Sequence, residues 1–165
     1  MIPELDLLTA EIEVPVDPAT AFALYVTRPG RRHPAEGLSG AHAEIIYEPF
    51  PGGRWFERAA DGREYEWGRV AEWDPPHRLV LAWMVGASTG RWAFDPDPAH
   101  ASRAEITFDP TEGGTRVRVR HTGLQAHGSG AASIRRGATR GWVEDLEDLL
   151  GAAGRPGATR SSPQE

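Results

Sequence analysis

The stretch from Glu64 to Val85, EYEWGRVAEWDPPHRLVLAWMV, constrains the fold more than any other part of the chain. It reads as two long strands joined by a tight connection, and it holds three of the six tryptophans. Pro75 and Pro76 lack backbone donors and fix φ, so neither fits inside a paired strand. Asp74 ahead of them favours an extended-then-turn conformation. Before the turn, Tyr65, Trp67, Val70 and Trp73 are large strand-favouring residues. After it, Leu79, Leu81, Trp83 and Val85 recur at period two, with Val80, Ala82 and Met84 on the opposite face. A strand apolar on both faces needs cover on both sides, and the remaining chain has to supply it.

Ahead of this hairpin, Leu5–Val16 reads as a half-buried strand in which Ile12, Val14 and Val16 alternate with Glu11, Glu13 and Pro15. Asp17 and Pro18 predict a helix start, as N-cap and first helical residue. That helix, PATAFALYV, puts Ala21, Phe22 and Tyr25 on one face, and residues 28–40 form an irregular or briefly helical connection. Strands are predicted over Ala43–Phe50 and Arg54–Arg58, and Asp61-Gly62 marks the turn into the central pair. Gly86–Gly90 reads as a turn, with Arg91–Phe94 extending the sheet. Ser102–Asp109 follows as a strand with Ala104, Ile106 and Phe108 on one face. In Thr115–Thr122, Val117, Val119 and His121 face inward, and Arg116, Arg118 and Arg120 face outward. The one long helical pattern is Ala131–Leu150, where Ile134, Ala138, Trp142, Leu146 and Leu149 make an apolar stripe. Acidic Glu144, Asp145, Glu147 and Asp148 fill its other face, and Gly151 reads as its stop. Residues 1–151 are thus expected to form one domain, and residues 152–165 a disordered tail.

This order predicts an α+β fold: a curved antiparallel sheet of six to seven strands wrapped around a long C-terminal helix, with one or two short helices after the first strand. The first half of that helix is built of small residues, including Ser133, Gly137, Ala138 and Gly141, whereas the second carries Trp142, Leu146, Leu149 and Leu150. One end is therefore expected to pack tightly and the other to leave a cavity, which phenylalanine at Gly137 or Ala138 would fill. A chain of 165 residues builds such a core without disulfides or metals. The absence of cysteine removes thiolate sites and nucleophiles, and the absence of lysine among eighteen basic residues removes Schiff-base chemistry. A net charge of −6 argues against nucleic acid as a partner. With no long apolar run and no signal-like start, a cytoplasmic chain without a membrane span is expected.

Five segments in register, VPVDPATAF, EPFPGGRWFER, WGRVAEWDPPHRLVLAW, GGTRVRVRHTGL and GWVEDLEDLL, span nearly all of residues 9–150. Together they resemble the START-like, or SRPBCC, superfamily of helix-grip, birch-pollen-allergen-like domains. Within it they are most similar to the branch of the C-terminal domain of the activator of heat-shock protein 90 ATPase. Many relatives carry paired tryptophans after the first helix, where this chain has Arg31-Arg32-His33-Pro34. The resemblance implies a groove between sheet and helix that takes a small hydrophobic molecule. The superfamily also covers polyketide cyclisation and chaperone modulation, so the fold does not settle the activity.

The residues expected to line the groove are Tyr25, Tyr65, Trp67, Trp83, Ile106, Val119, His121, Ile134 and Ala138. Trp73 and Trp142 are read as core. His121 is either a polar anchor in the cavity or a structural histidine bonded to a neighbouring strand, and His127 is expected at the surface. No catalytic residue, cofactor or metal ligand is assigned. His33, His42, His77 and His100 lie in separate loops without metal-ligand spacing, and no serine sits in an elbow motif. Arg116, Arg118 and Arg120 suit a cross-strand ladder with glutamates of the adjacent strand. The favoured reading is non-catalytic binding of a small hydrophobic or aromatic molecule by a monomer or homodimer. The alternatives are a chaperone-interacting module and a cyclase-like or hydrolase-like enzyme.

Overall fold

The computed structural model describes residues 6–27, 38 and 43–154. The Arg31–Pro34 segment, His33, His42 and the chain beyond residue 154 lie outside the described residues. Strand β1 (Leu7–Val14) leads into helix α1 (Pro18–Thr27), followed by β2 (Glu44–Tyr47), β3 (Arg54–Arg58), β4 (Glu64–Asp74) and β5 (Arg78–Trp83). Two short strands, β6 (Val85–Gly86) and β7 (Ala93–Phe94), precede β8 (Ser102–Thr111), β9 (Gly114–Thr122) and the final helix α2 (Ala131–Ala153). Seven strands form one curled antiparallel sheet in the order β1-β9-β8-β5-β4-β3-β2, with α2 in its grip. The α+β helix-grip expectation holds. The Arg91–Phe94 expectation does not, because Ala93 and Phe94 pair with Gly86 and Val85 in a separate ribbon instead of extending the sheet.

Two irregularities in β4 decide what the interior contains. Its pairing with β3 slips between Trp55 and Phe56, so that Gly68 opposes Trp55 and Glu66 opposes Phe56 with Trp67 between them. Its pairing with β5 slips again between Val70 and Glu72, leaving Ala71 without an opposite residue. Each bulge shifts the side-chain phase by one. Tyr65, Trp67, Val70 and Trp73, which no single alternation would align, therefore share the inner face. Gly68 is the tightest point: a Cβ there would lie 1.8 Å from the carbonyl oxygen of Ala82.

The inner face runs in rows across the sheet. One row is Tyr47, Trp55, Gly68, Trp83 and Ser102; the next contains Leu8, His121, Ala104, Leu81 and Val70. Ile106 and Val119 pair in the row after that, and both are fully buried. Helix α2 covers these rows with Ile134, Ala138, Trp142, Leu146 and Leu149. It does not stop at Gly151. Ala152 and Ala153 are buried, which carries the helix on to its cap, where the amide of Gly154 donates to the Leu150 carbonyl. Helix α1 begins as expected, with Asp17 Oδ1 accepting from the amide of Thr20 at 2.9 Å, and its Phe22 packs edge-on against Trp73. The tyrosine hydroxyl of Tyr25 donates to Asp145 at 2.7 Å, tying α1 to α2. Asp145 is thus buried, not part of a solvated acidic face.

The outer face is a lattice of ion pairs. Glu11 meets Arg118 at 3.1 Å and Arg116 at 3.7 Å, as the ladder reading required. Arg78 bridges Glu72 and Glu105 at 2.9 and 2.7 Å, over Val80, which lies between those two glutamates in the sheet. The second face of β5 is therefore roofed by paired charges. Each exposed pair is worth at most about 1 kcal/mol, so the core carries the stability.

The close approach at Gly68 makes a direct prediction. Replacing it with alanine forces β4 and β5 apart and should cost about 2–3 kcal/mol, as overpacking does. Urea denaturation reads that loss as a lower midpoint with an unchanged slope.

Candidate functional site

The aromatic residues of the inner face are continuous. Tyr25 stacks on Tyr47 (ring centroids 6.2 Å apart), Tyr47 on Trp55 (6.3 Å) and Trp55 on Trp67 (5.7 Å). Trp83 meets Trp55, Trp67, Trp92 and Trp142 at 5.1–5.9 Å, mostly edge-on. Such arrangements set the negative face of one ring against the positive edge of another. Trp92, from the loop after β6, fills the place that the small residues of α2 were expected to leave open. A Cβ on Gly137 would lie 2.4 Å from the Trp92 ring, and the Trp92 indole N–H donates to Ser133 Oγ at 3.1 Å. The small residues of α2 make room for a tryptophan of the chain itself.

Two polar centres interrupt this apolar wall. The first is Glu57 on β3, which is fully buried. In the register it faces Tyr65 on β4 and Ile45 on β2. Its Oε1 accepts from the Trp67 indole N–H at 2.6 Å and from the backbone amide of Leu38 at 3.1 Å. A carboxylate in such surroundings needs these donors to offset its desolvation. Beside it, the indole N–H of Trp55 is buried without a partner among the described residues. An unsatisfied donor of this kind costs about 1–3 kcal/mol. Glu57 was not among the expected site residues. Its signal was its position two residues after Trp55 in a strand where Arg54, Phe56 and Arg58 take the outer face.

The second centre is a four-member relay. Trp142 Nε1 donates to His121 Nδ1 at 3.0 Å, His121 Nε2 meets Ser102 Oγ at 2.7 Å, and Ser102 Oγ meets His127 Nε2 at 2.7 Å. An indole nitrogen only donates, so His121 Nδ1 must accept, and its proton sits on Nε2. Ser102 accepts that proton and donates its own to His127. His121 is fully buried, and this desolvation pushes its pKa down to about 3, with repulsion from His127 adding to it. Burial also lowers His127, opposed by the nearby Asp95 carboxylate. His127 is thus an interior residue and not the surface residue expected, because Ser102 draws it onto the sheet.

Of the expected lining residues, Trp67 and Tyr65 adjoin Glu57. Trp83 and His121 belong to the aromatic wall near the relay, Ile106 and Val119 are core beneath α2, and Ile134 and Ala138 belong to the face of α2 that covers them. Tyr25 lies at the far end of the ring stack with its hydroxyl committed to Asp145. No group of three or more metal-ligating side chains exists among the described residues, and none of their helices is long and apolar enough to cross a membrane.

The family model described as activator of Hsp90 ATPase homolog 1-like protein matches residues 33–152. Among solved structures, the protein is similar to Txn09, described as an anthrahydroquino-gamma-pyrone synthase complexed with SUM. The two are 33% identical, with a TM-score of 0.57, over 83% of this chain and 90% of that one. A protein from Arthrobacter aurescens shares the fold at 16% identity and a TM-score of 0.64, covering 98% of this chain and 94% of its own. One from Nitrosomonas europaea does so at 17% identity and a TM-score of 0.60, over 92% of this chain and 97% of its own. No curated protein matches the chain.

The neutral histidines set a pH dependence. Unfolding restores the ordinary histidine affinity, so the unfolded chain binds more protons below pH ~6.5. The stability that His121 and His127 contribute is complete above that value and is lost as pH falls towards the folded one. His100 acts in the opposite sense. Its hydrogen bond to Asp95 raises it, so its contribution is complete below pH ~6.5 and disappears as pH rises through its folded value. Between about pH 6 and 5, the unfolding free energy in urea should fall by about 1.4 kcal/mol per pH unit or slightly more. A flat profile there would contradict a buried neutral His121.

Proposed function

The chain belongs to the activator of Hsp90 ATPase homolog 1-like family, and from that premise we propose that it binds a planar aromatic small molecule carrying hydrogen-bonding oxygens at the Glu57 end of the inner face. The observation that carries this reading is a fully buried carboxylate set among indole rings. Burying such a group costs more than burying a methyl, so its retention beside an indole N–H that lacks a partner among the described residues favours a binding role over stability alone. Glu57 fixes the Trp67 indole in place, and the N–H of Trp55, which has no partner among the described residues, offers a donor to a ligand oxygen. The rings of Tyr47, Trp55 and Trp67 form the aromatic wall beside these groups. Apolar walls with a few convergent polar groups are the usual form of small-molecule sites.

A second reading is favoured by a separate observation, the 33% identity with a synthase whose name describes pyrone formation on an anthrahydroquinone. In that reading the chain acts on a polycyclic phenol that carries an unsaturated ketone side chain. The phenol oxygen adds to the unsaturated carbon, the carbon–carbon π bond opens, and Glu57 takes the hydroxyl proton as general base and returns it to the carbon that receives the electron pair. The chaperone-interacting reading rests on the family description alone. Of Arg116, Arg118 and Arg120, which it would need for a partner, the first two are already paired with Glu11.

The two readings share a test. Titration with 1,8-dihydroxyanthraquinone, followed by tryptophan fluorescence, should give saturable quenching. Glu57→Gln and Trp67→Phe should each weaken the apparent Kd about tenfold or more, the loss of one charge-assisted hydrogen bond. Unchanged affinity in both folded variants would sink the site. Mass spectrometry of the recovered probe and of any co-purifying phenol separates binding from ring closure.

A further inference from the structure

The relay has a property that the ligand site does not use. Only one arrangement of its hydrogens gives every contact both a donor and an acceptor. Trp142 supplies a donor that cannot be reversed, so His121 cannot move its proton to Nδ1 without setting two donors face to face. Ser102 therefore always receives from His121, and its single hydrogen has one destination, His127 Nε2. A second proton on His127 turns that acceptor into a donor. The Ser102 hydroxyl is then met by a donor from each side, and its own hydrogen has no acceptor in the relay. No tautomer change along the chain repairs this.

His127 lies at a mechanically sensitive place. It belongs to a 3₁₀ segment, Leu124–Gly130, that feeds directly into α2. The next residue, Gly128, has φ 63° and ψ −133°, a conformation essentially confined to glycine, so the segment turns there on a residue with no side chain to hold it. Gly130 presses against the backbone of Ala87 and Ser88, where a Cβ would lie 2.5 Å from the Ala87 carbonyl carbon. One turn further on, Ser133 and Gly137 hold Trp92 of the same loop. The contact between His127 and Ser102 is thus a side-chain tie between the sheet and the junction of loop 87–100 with α2. The Gln125 amide adds a tie to Asp6 at 2.8 Å.

We propose that the His121–Ser102–His127 relay is an acid-sensitive latch that holds the start of α2 against β8, and that protonation of His127 releases the Leu124–Gly130 segment. The titratable groups facing His127 fit this role. His121 stands across Ser102 on β9, and His100 and Asp95 stand on the loop beside it, bonded to each other at 2.8 Å. Arg135, the first charged residue of α2, points its guanidinium to the Leu7 carbonyl instead. Asp95 gives the imidazolium a counter-charge near the surface, so the proton enters at His127 and not at His121. The latch is independent of any ligand. Its effect is to loosen the junction that seats Trp92 on α2.

Long-range proton–nitrogen correlation spectra of the imidazole rings test the arrangement in the unmodified protein. Near pH 7.5 they should report His121 protonated at Nε2 and His127 at Nδ1. The opposite tautomer on either ring overturns the latch. Amide hydrogen exchange then tests the release. Corrected for intrinsic rates, the amides of residues 124–133 should exchange about tenfold faster near pH 5 than near pH 7.5, while those of β8 and β9 stay protected. Replacement H127Q keeps an acceptor for Ser102 but does not titrate, and should abolish the step; H100Q should retain it. A step that persists in H127Q, or its absence from the wild-type chain, refutes the proposal.

Discussion

The interior of this protein depends on the phase of one strand. Had β4 run without bulges, Tyr65 and Trp67 would face one side of the sheet and Val70 the other. Two slips in register put all three, with Trp73, on the concave face, and Gly68 lets β4 and β5 close over the first slip without a side chain between them. The rings of Trp55, Trp67 and Trp83 meet over this glycine. The continuous aromatic wall, and with it the surroundings of Glu57, follow from that local irregularity.

Buried polarity is handled differently at the two ends of the wall. At the relay, hydrogen bonds run from Trp142 through His121 and Ser102 to His127. At Glu57 a buried carboxyl group takes donors from a tryptophan side chain and from the backbone of Leu38, while the neighbouring indole N–H of Trp55 has no partner among the described residues. The first arrangement is satisfied and rigid, as fully connected networks are. The second keeps a donor, Trp55 Nε1, without a partner among the described residues.

The family assignment and the solved relatives agree on the fold and leave the activity open, as is common for a scaffold that hosts carriers and enzymes alike. Under the proposed function, the decision between them turns on whether Glu57 only accepts a hydrogen bond or removes a proton. Both uses call for the same buried carboxylate, and they differ in what happens to the ligand afterwards.

Periodicity, turn residues and the Asp17-Pro18 signal were enough for the element order, the inward-facing halves of β8 and β9, the apolar stripe of α2 and the outward-facing arginines of β9. These are properties of neighbours along the chain or directly across a hairpin. Glu57 and His127 were misplaced or missed because their roles come from partners outside the local pattern: Trp67 ten residues away across a bulge, and Ser102 on a strand that pairs elsewhere. The expectation of open space beside Gly137 failed for the same reason, since nothing in the helix reveals that Trp92 will fold onto it. The sequence by itself determined which faces are apolar, because that depends on side-chain type and spacing. Only the tertiary structure decided which polar groups lie inside and what they hold, because burial and hydrogen bonding are set by residues far apart in the chain.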